Sequence, residues 1–98
     1  MIIVTGAFTL DPADRDEFVA GMAARLKSTR AEPGCLEYVV AADPADPGRA
    51  VLLEKWESED ALATHAEALK TTRPAPGGPR PTTMSILRYD ATGERPLM

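Results

Sequence analysis

The sequence predicts a single α+β domain with the element order β-α-β-β-α-β. Three observations carry that prediction: four short stretches rich in β-forming residues, two stretches with apolar residues at helical spacing, and Pro, Gly and Asp clusters at most of the joins. With 98 residues there is room for one core, and a domain of this size buries roughly two thirds of the surface its unfolded chain would expose. The domain is expected to span residues 1–98, with an ordered core over about 2–90 and a polar, loosely held tail over 91–98.

Residues 2–8, Ile-Ile-Val-Thr-Gly-Ala-Phe, read as the first strand. Asp11 followed by Pro12 marks a helix start, because Asp can accept from free backbone N–H groups and Pro suits the first helical position. Asp14, Asp16 and Glu17 suit the positive end of the helix dipole, while Phe18, Met22 and Leu26, four apart, form an apolar face that ends near Arg30. Residues 35–41 and 49–57 read as two strands. The turn-rich loop Ala42-Asp43-Pro44-Ala45-Asp46-Pro47-Gly48 between them closes an antiparallel hairpin. Ser58 can cap a second helix carrying Leu62, Ala66 and Leu69, which cannot pass Thr72 because of the prolines that follow. Residues 84–90 supply the fourth strand.

This order is the split β-α-β, or ferredoxin-like, arrangement, with both helices on one face of a four-stranded sheet. Strands 35–41 and 49–57 are apolar at most consecutive positions, so the helix-free face also needs cover. A second copy of the chain can provide it, which predicts a homodimer.

Composition narrows the function. Hydrophobic residues make up 44% and charged residues 27%, a globular balance, and a net charge of −4 with scattered basic residues disfavours nucleic acid as a partner. No stretch is long enough to span a membrane. The apolar start Met1-Ile2-Ile3-Val4 has no basic leader or small-residue cleavage site, so a strand is expected there rather than a signal peptide. A single cysteine, Cys35, rules out an internal disulfide and fits a cytoplasmic protein; it reads as a small buried hydrophobe or as a reactive thiol. Gly77-Gly78 sits among prolines and makes no phosphate cradle, so neither a flavin nor a nicotinamide cofactor is implied, and no cofactor is expected.

Few residues are equipped for chemistry. Glu54 and Trp56 are two apart on a strand and leave the same face. Trp56 is either a flat wall for an aromatic ring or a core anchor. Glu54 is either a carboxylate whose raised pKa lets it take a phenolic proton, or one tied up in an ion pair or dimer contact. His65, the only histidine, borders the apolar stripe of the second helix; it can reach a pocket beneath that helix as an acid/base group, or sit half-exposed. With no cysteine or clustered carboxylates beside it in sequence, it is a poor metal ligand, and no metal site is expected. Phe18 and Met22 floor the space between helix and sheet, as substrate-contacting residues or simply as core. Arg73 and Arg80, flanking the Pro-rich loop, can attract an anionic substrate or remain solvated.

The stretch Glu32-Pro33-Gly34-Cys35-Leu36-Glu37-Tyr38, followed by Leu52-Leu53-Glu54-Lys55-Trp56-Glu57-Ser58 and then Ala61 and His65, resembles the antibiotic biosynthesis monooxygenase family over residues 2 to about 70. The resemblance implies a dimeric α/β barrel built through the open sheet faces. Its members include cofactor-independent oxygenases of phenols and quinols, haem-degrading enzymes and an isomerase. It places Tyr38 where a hydroxyl can meet a substrate oxygen, although the parity of Tyr38 with Leu36 and Val40 equally suits a dimer-covered face. Thr5 stands where haem-degrading members carry a first-strand Asn, and His65 where they carry a Trp, which argues against haem degradation. Lys70 stands where many oxygenase-like members carry a second His.

The expectation that follows is a cofactor-independent monooxygenase of a small aromatic substrate and dioxygen, with His65 or Glu54 as base and Trp56, Tyr38, Thr5, Phe18 and Met22 around the substrate. Two alternatives stay open: a non-catalytic dimeric binding or stress-associated module, and a cofactor-free isomerase of a small hydroxyketone.

Overall fold

The computed structural model describes residues 1–71 and 78–98. Its elements run β1 (Ile2–Thr9), α1 (Arg15–Gly21), α2 (Ala23–Arg30), β2 (Cys35–Ala42), β3 (Arg49–Trp56), α3 (Glu59–Thr71) and β4 (Thr83–Asp90). The four strands form one antiparallel sheet in the order β2-β3-β1-β4, so the fold is ferredoxin-like, as the element order requires.

Register decides what each face carries. Ile2, Val4, Gly6 and Phe8 of β1 stand opposite Trp56, Glu54, Leu52 and Ala50 of β3, and Tyr38 and Val40 of β2 stand opposite Glu54 and Leu52. These even-numbered positions share the helix-covered face, where Ile2, Val4, Phe8, Tyr38, Val40, Ala50, Leu52 and Trp56 form the buried core. Phe18 and Val19 of α1, Met22 at the junction and Leu26 of α2 pack on it, as do Ala61 and Leu62 of α3. Phe8 and Phe18 meet with ring centroids 5.1 Å apart.

The expected first helix is two segments. Asp11 caps a turn rather than the helix itself, its Oδ1 accepting from the Ala13 N–H at 2.9 Å, and regular helix begins at Arg15. At Met22 the backbone N–H bonds to the Val19 carbonyl three residues back, then the ladder resumes with Leu26 N–H to Met22 O at 2.9 Å. The exposed Gly21 just before it is a weak helix former, so the chain tightens there at little cost.

The hairpin forms as expected. Arg15 pins its loop from outside by donating to the carbonyl oxygens of Asp43 (2.9 Å) and Asp46 (2.8 Å). An irregularity between Cys35 and Glu37 shifts the β2 register against β3. It breaks the parity that linked Tyr38 to Leu36: Leu36 is exposed and Tyr38 is buried beneath the helices.

The helix-free face carries Thr5, Ala7, Val51, Leu53, Ser85 and Leu87 around an open trough, with Leu53, Leu87 and Tyr89 exposed. Every residue of β4 is exposed, including Met84 and Ile86 on the helix side. No described helix is long and apolar enough to cross a membrane. Arg73 lies outside the described residues.

Candidate active site

Glu54 and Trp56 reach the helix-covered face by strand alternation, and the local chemistry ties them together: the indole Nε1–H donates to Glu54 Oε1 at 3.0 Å. Above them, Ser58 caps α3 by accepting from the Ala61 N–H at 3.2 Å, which sets the phase of the helix. That phase turns His65 inward. The residue is 3% exposed, so it is buried rather than half-exposed on the helix surface.

His65 stacks over Trp56 with ring centroids 4.7 Å apart and 32° between planes, and Tyr38 approaches the imidazole edge-on at 5.6 Å. Its Nε2 lies 4.0 Å from Glu54 Oε1, beyond direct hydrogen bonding. The partner it does make was not singled out from the sequence: Nδ1 lies 2.8 Å from Oε2 of Glu32. Glu32 follows α2 in a tight turn that is docked on the end of β3, where the Glu57 N–H donates to the Gly34 carbonyl at 2.8 Å. Gly34 makes that docking possible, since its φ of +81° favours glycine and a Cβ there would come 2.5 Å from the Ala61 Cβ. No spacing rule links positions 32 and 65. The only available signal was that Glu32 is an acid beside the Pro-Gly turn of the quoted motif.

Electrostatics follow from burial. Glu54 is pushed above the usual carboxylate range, first by desolvation, against the opposing pull of the Trp56 N–H and of His65, with Glu32 adding to the rise. Tyr38 is also raised, first by desolvation and next by the Glu54 charge. Cys35 is raised by burial and by Glu32, which makes it a poorer nucleophile than a free thiol. Among the described residues, no group of three His, Cys, Asp or Glu side chains is arranged to hold a metal ion.

Of the residues expected around a substrate, the structure gathers His65, Glu54, Trp56 and Tyr38 into one buried cluster. Trp56 is wholly buried, and one face of its ring is held by the imidazole. Phe18 and Met22 pack against the core, Phe18 on Phe8. Thr5 stands apart: it pairs with Leu53 and Leu87 and lines the trough on the opposite face of the sheet, because odd positions of β1 point away from the helices. Lys70 pairs with Glu67 on the surface of α3 at 3.2 Å. Arg80 is exposed.

An arrangement of a histidine between two carboxylates, roofed over an indole and a phenol, can accept, hold and return a proton away from bulk water. Comparison with known proteins places it in a family. The sequence profile described as antibiotic biosynthesis monooxygenase matches residues 1–71. The chain is 30% identical over 67 residues to YcnE of Bacillus subtilis, whose name assigns it provisionally to the monooxygenases, covering 68% of this chain and 70% of that one. It is also 30% identical over 64 residues to sll1783, an uncharacterized protein of Synechocystis, covering 65% of this chain but 44% of that protein. A Deinococcus radiodurans crystal structure, provisionally assigned to antibiotic biosynthesis monooxygenases, superposes with a TM-score of 0.79 at 25% identity, covering 100% and 99% of the two chains. The haem-degrader MhuD of Mycobacterium tuberculosis, with two haems in its active site, shares the fold at 18% identity, with a TM-score of 0.76 over 98% and 100% of the chains. The profile match over most of the sequence, on a fold common to these structures, makes this chain a member of the antibiotic biosynthesis monooxygenase family.

Proposed function

We propose that the protein is a cofactor-independent monooxygenase of a small phenol or quinol. The observation that carries this reading is the contact set Glu32–His65–Glu54–Trp56, buried apart from the partly exposed Glu32, with His65 Nδ1 2.8 Å from Glu32 and its Nε2 4.0 Å from Glu54. The base removes the phenolic proton, and the phenolate passes one electron to dioxygen. Phenoxyl radical and superoxide then combine at a ring carbon that bears hydrogen. The imidazolium returns its proton to the peroxide. Loss of the C–H proton with cleavage of the O–O bond releases one water and leaves a quinone carbonyl, so phenol plus dioxygen gives quinone plus water. The protein's contribution is to bind the ring, move the proton and exclude solvent.

The dimer belongs to this reading. The exposed Leu53, Leu87 and Tyr89 on the helix-free face supply the apolar surface that a second copy would cover.

One observation favours the alternative of a non-catalytic binding module. Trp56 is 0% exposed with His65 against its face, so the described cluster is filled by its own side chains and a substrate ring must displace some of them.

The deciding experiment is oxygen uptake with matching quinone formation, in metal-free and cofactor-free buffer, across a panel of phenols, naphthols and hydroquinones. Uptake above the uncatalysed rate for at least one compound supports the enzyme. A flat response to the whole panel overturns the monooxygenase reading and leaves the binding module.

A further inference from the structure

The geometry points to Glu32 as a positioning residue that fixes the tautomer of His65, holding the proton on Nδ1 and directing the bare Nε2 toward Glu54. The inference rests on the reading of His65 as the base and names what makes it one.

The argument starts from donor and acceptor inventories. An ionised carboxylate can only accept, and a neutral imidazole has one donor nitrogen and one acceptor nitrogen. With Oε2 of Glu32 2.8 Å from Nδ1, the favourable neutral form carries its hydrogen on Nδ1, which leaves a lone pair on Nε2. The opposite tautomer would set a lone pair against the carboxylate. The far side of the ring agrees with this assignment. Nε2 and Glu54 Oε1 are 4.0 Å apart, a separation fitting two acceptors that do not bond each other. Glu54 Oε1 is already accepting from the Trp56 indole at 3.0 Å.

A hydroxyl admitted beside Nε2, once the side chains that now fill the cluster are displaced, would give its proton to that bare nitrogen. The groups facing the imidazole are therefore Glu32 from the turn after α2, Glu54 and Trp56 from β3, and Tyr38 from β2. Glu32 touches no substrate in this scheme. It acts through His65, and the Gly34 turn that docks on β3 holds it in place.

Because His65 is the only histidine, nitrogen-15 NMR of imidazole-labelled protein reads its tautomer without ambiguity and without any substrate. At a pH high enough to make the ring neutral, the wild-type protein should show the Nδ1–H form in excess by about tenfold or more, the ratio a charge-assisted hydrogen bond supports. In Glu32→Ala the excess should disappear and the population should move to the Nε2–H form that free imidazole side chains favour in water. Glu32→Gln, which can still accept from Nδ1–H through its amide oxygen, should restore part of the Nδ1–H signal. A wild-type spectrum dominated by Nε2–H overturns the inference, whatever the fate of the variants. So does an Ala variant that folds and keeps its Nδ1–H excess. The spectrum needs no turnover, so an Nδ1–H wild type in a protein that consumes no oxygen would sink the monooxygenase reading while the positioning role stands.

Discussion

The indole N–H of Trp56 donates to Oε1 of Glu54, its neighbour two residues earlier on β3, at 3.0 Å, and both side chains are buried. A carboxyl in that setting is held above the usual carboxylate range by desolvation, which the indole donor only partly offsets. The sign of the effect on stability follows. Between the unfolded and folded values the folded state binds more protons than the unfolded one, so this group's contribution is fully present below the ordinary carboxylate range and is lost as the pH rises through the folded value. Glu54→Gln keeps an acceptor for the indole and cannot ionise. Its melting temperature relative to wild type should therefore climb as the pH goes from about 4 to 7. A difference that is flat or falls over that range would contradict the assignment.

Trp56 is the only tryptophan and is wholly buried, so its replacement tests packing directly. Trp56→Ala should lose about 3 to 5 kcal/mol in urea unfolding, the scale for removing a large buried aromatic. A loss below about 1 kcal/mol would mean that the indole lines an openable space rather than anchoring the core.

His65→Ala should slow oxygen uptake with a confirmed phenolic substrate by about a hundredfold, the lower end for removing a general base. Circular dichroism must show the fold intact, because the substitution leaves the Glu32 and Glu54 carboxylates without the ring between them. Unchanged turnover would shift the role of base to Glu54.

The helix-free face makes a prediction about assembly. Light scattering at micromolar concentration should give twice the chain mass of 10.5 kDa. The double substitution Leu53→Lys and Leu87→Glu, at exposed positions of that face, should shift the protein toward monomer without unfolding it. A wild-type monomer would remove the proposed dimer.

Gly34 joins backbone geometry to the site. Gly34→Ala places a Cβ at a φ of +81° and 2.5 Å from Ala61, so it should cost about 1 to 3 kcal/mol in urea unfolding and loosen the turn that presents Glu32. A neutral effect would show that the turn adjusts freely.

Much of this was legible in the chain. Alternating and near-continuous apolar runs placed all four strands to within a residue or so, and Ser58 marked the cap of α3. The cluster of Glu54, Trp56 and His65 could be suspected because strand parity puts the first two on one side and helical spacing puts the third near the apolar stripe. One placement went otherwise, and one left open was decided by the register. Thr5, aligned by resemblance to a site position, faces the trough across the sheet from His65. Tyr38, whose parity with Leu36 left its face open, lies under the helices because the register shift between Cys35 and Glu37 separates the two.

The sequence by itself determined the element order, the apolar stripes and hence the antiparallel α+β fold, because periodicity and turn chemistry are local properties that each short segment states independently. Only the tertiary structure decided the partner of His65. Glu32 and His65 are far apart in the chain and meet at 2.8 Å because a glycine turn docks on the end of β3 beneath α3, a long-range contact that no local pattern encodes. The raised carboxyl of Glu54 belongs to the same class: a residue's type sets its ordinary pKa, but desolvation is set by what the folded chain packs around it.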